Sequence, residues 1–369
     1  MRVAFRVDSS YVIGSGHVMR CLTLADYLMK IGHQTLFVCR DHAGNLAHFV
    51  RDRRHQAILL PGVPSVEYHR PIADGYASWL GVSQEQDAAQ TKDVLHDSFP
   101  TPDWLMVDHY VLDKNWEIEL RPCVGRMFVI DDLANRPHDC DMLLDHNLSK
   151  GGTSRYDGLV PDQCVRLIGP EYALLREEFV TQRKSCKERD SSIRKVMVFF
   201  GGFDLSNETL KTCQALSHFA GEHFMVTVIV GTANPRRDDI EAFCADHRGF
   251  TCLHQVDNMA ALMAEVDLAI GAGGTTTWER AYLGLPTIVV WVAENQREGT
   301  EAMAEVGALW NLGHGPDVTS QQIIAAVEHA MDSPAEMREM SRRAQGLFGD
   351  ALEPAAMRVS RLMQERLHV

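Results

Sequence analysis

The sequence predicts an α/β fold made of two doubly wound domains, each with a parallel sheet. Three observations predict it. Apolar runs of strand length alternate with amphipathic segments nearly throughout the 369 residues. A polar, highly charged stretch, Thr181–Ser192, separates two such blocks and reads as a linker. Each block also carries a glycine-loosened turn between a strand and a helix, the place where α/β folds build their sites. The expected domains are 1–180 and 193–350, with a last helix in 351–369 packing back on the first. A cleft between them is where a ligand is expected.

In the first block, strands are read near Arg2–Asp8, Gln34–Cys39, Gln56–Leu60, Trp104–Asp108, Met127–Asp131 and Met142–Asp145. Helices fall between them, among them His17–Ile31 and Gln84–Asp97. Pro61–Leu80 is turn-rich and finds no place in this pattern. The second block reads as strands near Lys195–Phe200, Met225–Val230, Thr251–Gln255, Leu268–Ile270 and Thr287–Val292. Its helices lie near Asn207–Phe219, Asn258–Glu265, Thr276–Leu283 and Arg297–Val306. Three more, near Ser320–Met331, Ala335–Leu347 and Pro354–Leu367, close the chain.

Lys and Arg number 36 against 50 Asp and Glu, a formal charge of -14. No basic stripe argues for a nucleic-acid partner. An anionic ligand would need local donors, because the bulk charge repels it. The nine cysteines include no CxxC pair, so a zinc cluster or redox dithiol is not expected. Their dispersed, odd number reads as reduced thiols in a cytoplasmic protein. The first strand carries charges where a signal peptide would be apolar, and no stretch is long enough to span a membrane. Asp139-Cys140-Asp141 spells a DxD triplet, too short a match to argue for a metal.

The most informative stretch is Gly14-Ser15-Gly16-His17-Val18-Met19-Arg20. Histidine at such a turn is poised to take a proton from a ligand near neutral pH, or simply bonds the backbone at a helix start. Acidic and phenolic groups at strand ends, Asp108-His109-Tyr110 and Asp131-Asp132, can bind hydroxyls, orient His17 or cap loops. Asp8 is the candidate nearest to His17 in sequence. In the second block, Gly271-Ala272-Gly273-Gly274-Thr275-Thr276-Thr277-Trp278-Glu279 joins a strand to a helix. Its small residues let backbone N–H groups approach a phosphate, and Glu279 stands one turn on, placed to accept from both ribose hydroxyls. The turn lacks the GK[ST] of a Walker loop and the glycine spacing of a dinucleotide fingerprint. Asn295 and Gln296 end the following strand, as neutral bidentate groups or as a helix cap. Gly202, in Gly201-Gly202-Phe203-Asp204, reads as a further pyrophosphate contact or a plain turn.

Taken in order, RVDSSYVIGSGHVMRCLTLADYL, VDHYVLDKNWE, VIDDLANRPHDCDMLLDHN, GPEYALLREEF, FFGGFD, GAGGTTTWERAYLGLPTIVVW and ENQ resemble one family, that of UDP-2,4-diacetamido-2,4,6-trideoxy-β-L-altropyranose hydrolase of bacterial pseudaminic acid biosynthesis. The resemblance runs from Met1 to about Val306. The second half is also similar to GT-B glycosyltransferases, such as the enzyme that forms lipid II. The resemblance implies a GT-B fold of two Rossmann-like domains, with UDP held mainly by the second. It implies inverting hydrolysis at the anomeric carbon, without metal or cofactor. The catalytic base falls on His17, its aromatic partner on Tyr110 and a substrate-contacting arginine on Arg176. The nucleotide-binding glutamate falls on Glu279 and the amide on Asn295. The partner expected is a small-molecule UDP-sugar, with no nucleic acid or membrane, and a monomer is favoured. Three rival readings share the architecture: an inverting glycosyltransferase, a UDP-sugar 2-epimerase and a non-catalytic nucleotide-sugar binder.

Overall fold

The computed structural model describes residues 1–62, 76–149, 151–186, 192–231, 234–254, 256–349 and 353–367. Most of the unplaced Pro61–Leu80 stretch, the end of the linker and the last residue of the strand read to Gln255 therefore lie outside the described residues. So do the 350/351 boundary and its neighbour 352.

Two compact units form. The first gathers Met1–Asn147, Gly151–Leu174 and Glu353–Val369; the second is Leu148–Lys150 and Leu175–Leu352. Among the described residues the first unit has seven strands: β1 Arg2–Val7, β2 Gln34–Arg40, β3 Gln56–Leu60, β4 Trp104–Asp108, β5 Arg126–Ile130, β6 Met142–Asp145 and β7 Val165–Ile168. Its helices are α1 Gly16–Lys30, α2 Ala47–Asp52, α3 Gln84–Ser98 and α4 Lys114–Leu120. The strand order is β3-β2-β1-β4-β5-β6-β7, all parallel. Such strands are covered on both faces, so β1 is buried from Val3 to Val7. Val3, Phe5 and Val7 face one core, with Val18, Leu22, Ala25 and Leu28 of α1. Ala4 faces the other, with Leu36, Val38, Leu105 and Trp116. Arg6, on that second face, is neutralised rather than exposed. It donates to Asp8 (2.6 Å) and Asp87 (2.7 Å), and Arg40 also reaches Asp87 (2.5 Å).

The second unit contains α5 Glu177–Ser185, β8 Lys195–Phe199, α6 Glu208–Leu216, β9 Met225–Val230, α7 Arg237–Asp246, β10 Phe250–His254, α8 Met259–Glu265, β11 Leu268–Gly271, α9 Thr276–Tyr282, β12 Thr287–Trp291, α10 Arg297–Glu305, β13 Trp310–His314, α11 Ser320–Asp332 and α12 Pro334–Gly346. Its parallel sheet runs β10-β9-β8-β11-β12-β13. Thr319 and Gln322 close a capping box at the start of α11. The last helix, α13 Ala355–Arg366, buries Val359 and Met363 in the α1 side of the first unit.

Two differences from the sequence reading follow. The boundary falls at Leu174/Leu175, not at 180, because the residues after it are anchored on α9. Arg183 stacks over Tyr282, 4.3 Å from the ring centroid, and donates to the Tyr282 carbonyl. The stretch read as a linker from Thr181 therefore begins inside α5, a helix that ends only at Ser185.

Candidate functional site

In each sheet the strand order reverses at one point, between β1 and β4 in the first unit and between β8 and β11 in the second. Outside the carboxyl ends of the strands at such a point, a crevice opens between divergent loops. Both candidate constellations sit there.

In the first unit the chain leaves β1, turns at Gly14 (φ +82°) and enters α1 at Gly16. The positive φ at Gly14 is one a side chain would resist. The turn delivers His17, 7% exposed, toward the end of β4. Its Nδ1 lies 2.6 Å from Asp108 Oδ1. Asp108, rather than Asp8, is thus the acid beside His17. Asp8 is the register neighbour of that position, since Val7 pairs with Asp108. Its carboxylate, however, is taken by Arg6, by the Arg40 amide (2.6 Å) and by His109 Nε2 at 3.4 Å. Burial works against the charge on Asp108, yet Arg20 and His17 hold its carboxyl well below the usual range. A permanent anion on Nδ1 fixes the tautomer with the proton there and the Nε2 lone pair free to accept. Nε2 has no hydrogen-bond partner among the described residues.

Arg20 was not singled out from the sequence, although its i+3 spacing puts it on the His17 face of α1. It clamps both Asp108 oxygens, at 2.6 and 2.7 Å, and reaches Asp132 at 2.9 Å. Tyr110 packs edge-on to His17 with centroids 4.6 Å apart, and Trp79 and Tyr76 extend this aromatic wall. The last two come from the region that sequence reading left unplaced. Asp131 is committed to Arg136 and the Ala134 amide, and the aspartates of the DxD triplet to Arg121.

In the second unit the Gly271–Thr277 turn lies beside the Glu294–Gln296 turn. Gln296 Oε1 accepts from the Gly273 amide (3.2 Å) and the Val292 amide (3.0 Å), joining the two loops. Gly273 permits that closeness, because a Cβ there would strike the Thr300 hydroxyl. Gly274, Thr275, Thr276 and Asn295 are all partly exposed on these turns. Gly202 lies on the loop after β8, where Asp204 caps α6 through the Glu208 and Thr209 amides. Glu279 is 6% exposed. One oxygen takes Arg176 at 3.0 Å, and the other is buried with no hydrogen-bond partner among the described residues. Burial raises its carboxyl above the ordinary range, against the pull of Arg176. Arg176, expected at the substrate, lies on Glu279 and also pairs with Glu178 at 2.6 Å.

Residues 195–356 match the family model described as Glycosyltransferase family 28 C-terminal domain. Over the whole chain, the crystal structure of MurG from Acinetobacter baumannii superposes with a TM-score of 0.65 at 15% identity, covering 99% of each chain. The fold is GT-B. The chain is also 25% identical over 307 residues to UDP-2,4-diacetamido-2,4,6-trideoxy-beta-L-altropyranose hydrolase of Campylobacter jejuni, covering 83% of this chain and 97% of that protein. It is 23% identical over 346 residues to the spore coat polysaccharide biosynthesis protein SpsG of Bacillus subtilis, covering 90% of each. The family resemblance read from the motifs therefore stands, and the comparisons support an enzyme that handles a nucleotide sugar. No helix among the described residues is long and apolar enough to cross a membrane.

Proposed function

We propose that the protein hydrolyses a UDP-linked diacetamido-trideoxy sugar at its anomeric carbon, with inversion, releasing UDP and the free sugar. The observation that carries this reading is the His17–Asp108 pair, with its Nδ1 held and its Nε2 open. In this reading a water bonded to Nε2 gives up a proton as its oxygen attacks C1. The C1–O bond breaks on the opposite face, and its electron pair leaves with the diphosphate. UDP departs as a stable anion, so the reaction needs no separate acid. Asp108 and Arg20 position His17, and Tyr110 walls it. Glu279 accepts from the ribose, while the Gly273–Thr276 turn with Asn295 and Gln296 meets the phosphates. Gly202, Gly14 and Gly16 shape the loops.

The test is incubation of the UDP-sugar with the protein alone, followed by proton NMR. Expected are many turnovers without an acceptor and a first-formed free sugar of inverted configuration at C1. His17→Asn is expected to lower kcat on the order of a hundredfold or more while leaving UDP affinity unchanged by calorimetry. Turnover only with an added acceptor would replace the proposal with glycosyl transfer. An altered C2 would replace it with epimerisation.

A further inference from the structure

Arg280 adjoins Glu279 in sequence and is one of the largest fully buried side chains, 2% exposed. Its Nη2 donates to the Ala272 carbonyl (2.6 Å) and the Thr277 hydroxyl (2.9 Å), the two flanks of the Gly271–Thr277 turn. Gly271 makes room for it, since a Cβ there would meet the guanidinium. Its Nε is buried with no hydrogen-bond partner, and among the described residues no carboxylate stands within ion-pair distance of it. Glu279, the one carboxylate that acts on it, is engaged by Arg176. Thr300 Oγ1, on the other side of the same turn, is likewise buried and unpartnered.

A buried cation without a counter-anion is costly, and proteins retain one where something anionic compensates it. Burial, partly offset by the nearby charge of Glu279, brings Arg280 down to about 10, which leaves it charged at neutral pH. We infer that Arg280 is a positioning residue for the diphosphate: packed against the turn, it braces the loop and supplies the local positive charge that makes it a pyrophosphate site. The inference rests on the nucleotide reading above. It also answers how a chain of charge -14 holds a substrate whose diphosphate is already dianionic. The charge acts through the turn, and it weighs more as the departing diphosphate gains charge.

The experiment compares the native protein with Arg280→Gln, which keeps a donor for the Ala272 carbonyl but removes the charge, and with Arg280→Lys, which keeps the charge. UDP affinity is read by calorimetry, uridine affinity by ligand-observed NMR, and kcat and KM with the UDP-sugar. Melting temperatures confirm that both variants fold. Arg280→Gln is expected to weaken UDP on the order of tenfold or more while uridine is unchanged, with kcat/KM falling in step. Arg280→Lys is expected to restore most of that loss. Equal losses for uridine and UDP would show a scaffold role only and overturn the inference, as would unchanged UDP affinity in the Gln variant. Failure of the native protein to bind UDP at all would instead bring down the nucleotide reading beneath it.

Discussion

At the scale of single residues, the first unit is a set of buried charges kept in fixed states by their neighbours. Asp108 is the sharpest case, an anion enforced by Arg20. Asp108→Asn is expected to lower kcat on the order of a hundredfold to ten-thousandfold, because the amide no longer fixes the proton on His17 Nδ1. Steady-state kinetics at saturating substrate would measure it, and a kcat near native would remove Asp108 from the mechanism. Asp145 shows the opposite electrostatics. Burial and the charge of Asp132 push its carboxyl up to about 7, despite bonds from Arg155 and the Asn147 amide. Such a group takes up a proton on folding between about pH 4 and pH 7. Its contribution to stability is complete below pH 4 and is lost as pH rises to 7. Asp145→Asn removes that slope, so the variant's melting temperature is expected to gain on the native protein's between pH 5 and 7 and to run parallel above pH 8. His146, lowered to about 4 chiefly by burial, tilts stability the other way, but equally in both proteins, and so cancels. A gap independent of pH would contradict the assignment. Sequence reading found His17, since a lone histidine in GSGH is visible in one dimension. It could not choose Asp108 over Asp8, because that choice is made by β1 and β4 pairing across a hundred residues and by Arg6 claiming Asp8.

At the scale of elements, what matters is how closely two turns approach. Gly273 lets the α9 entrance touch Gln296 and Thr300. Gly273→Ala is expected to push the turn off α10 and weaken UDP on the order of tenfold, about 1.4 kcal/mol. Calorimetry reads this against an unchanged circular dichroism spectrum, and native affinity in the variant would show that the close approach is dispensable. The strands flanking both turns were legible because they are continuous apolar runs. One edge of each sheet was not. β7 is four residues long with Arg166 in it, and β13 carries Asn311 and His314 and is only partly buried throughout. A half-covered edge strand needs less hydrophobic sequence, and so it leaves less of a signal. Arg20 and Arg280 escaped for a related reason. Charged residues on helices read as solvated until burial shows otherwise.

At the scale of the whole molecule, the first unit is assembled from three separate stretches of chain, and α13 supplies one wall of its core. Removing residues 353–367 would expose the surface against which Val359 and Met363 pack, both 0% exposed. Each such side chain contributes about 1.5–3 kcal/mol. The shortened chain is expected to lose the cooperative melting of the first unit and its turnover, while UDP binding by the second persists. Differential scanning calorimetry with UDP titration checks this, and a truncated protein of native turnover would deny α13 its place. The same arrangement orders events on the ribosome. The unit that starts with β1 cannot finish until α13 has been translated, whereas the unit encoded between them can. On the proposed function, a product that stops before α13 would bind UDP without turning over the UDP-sugar.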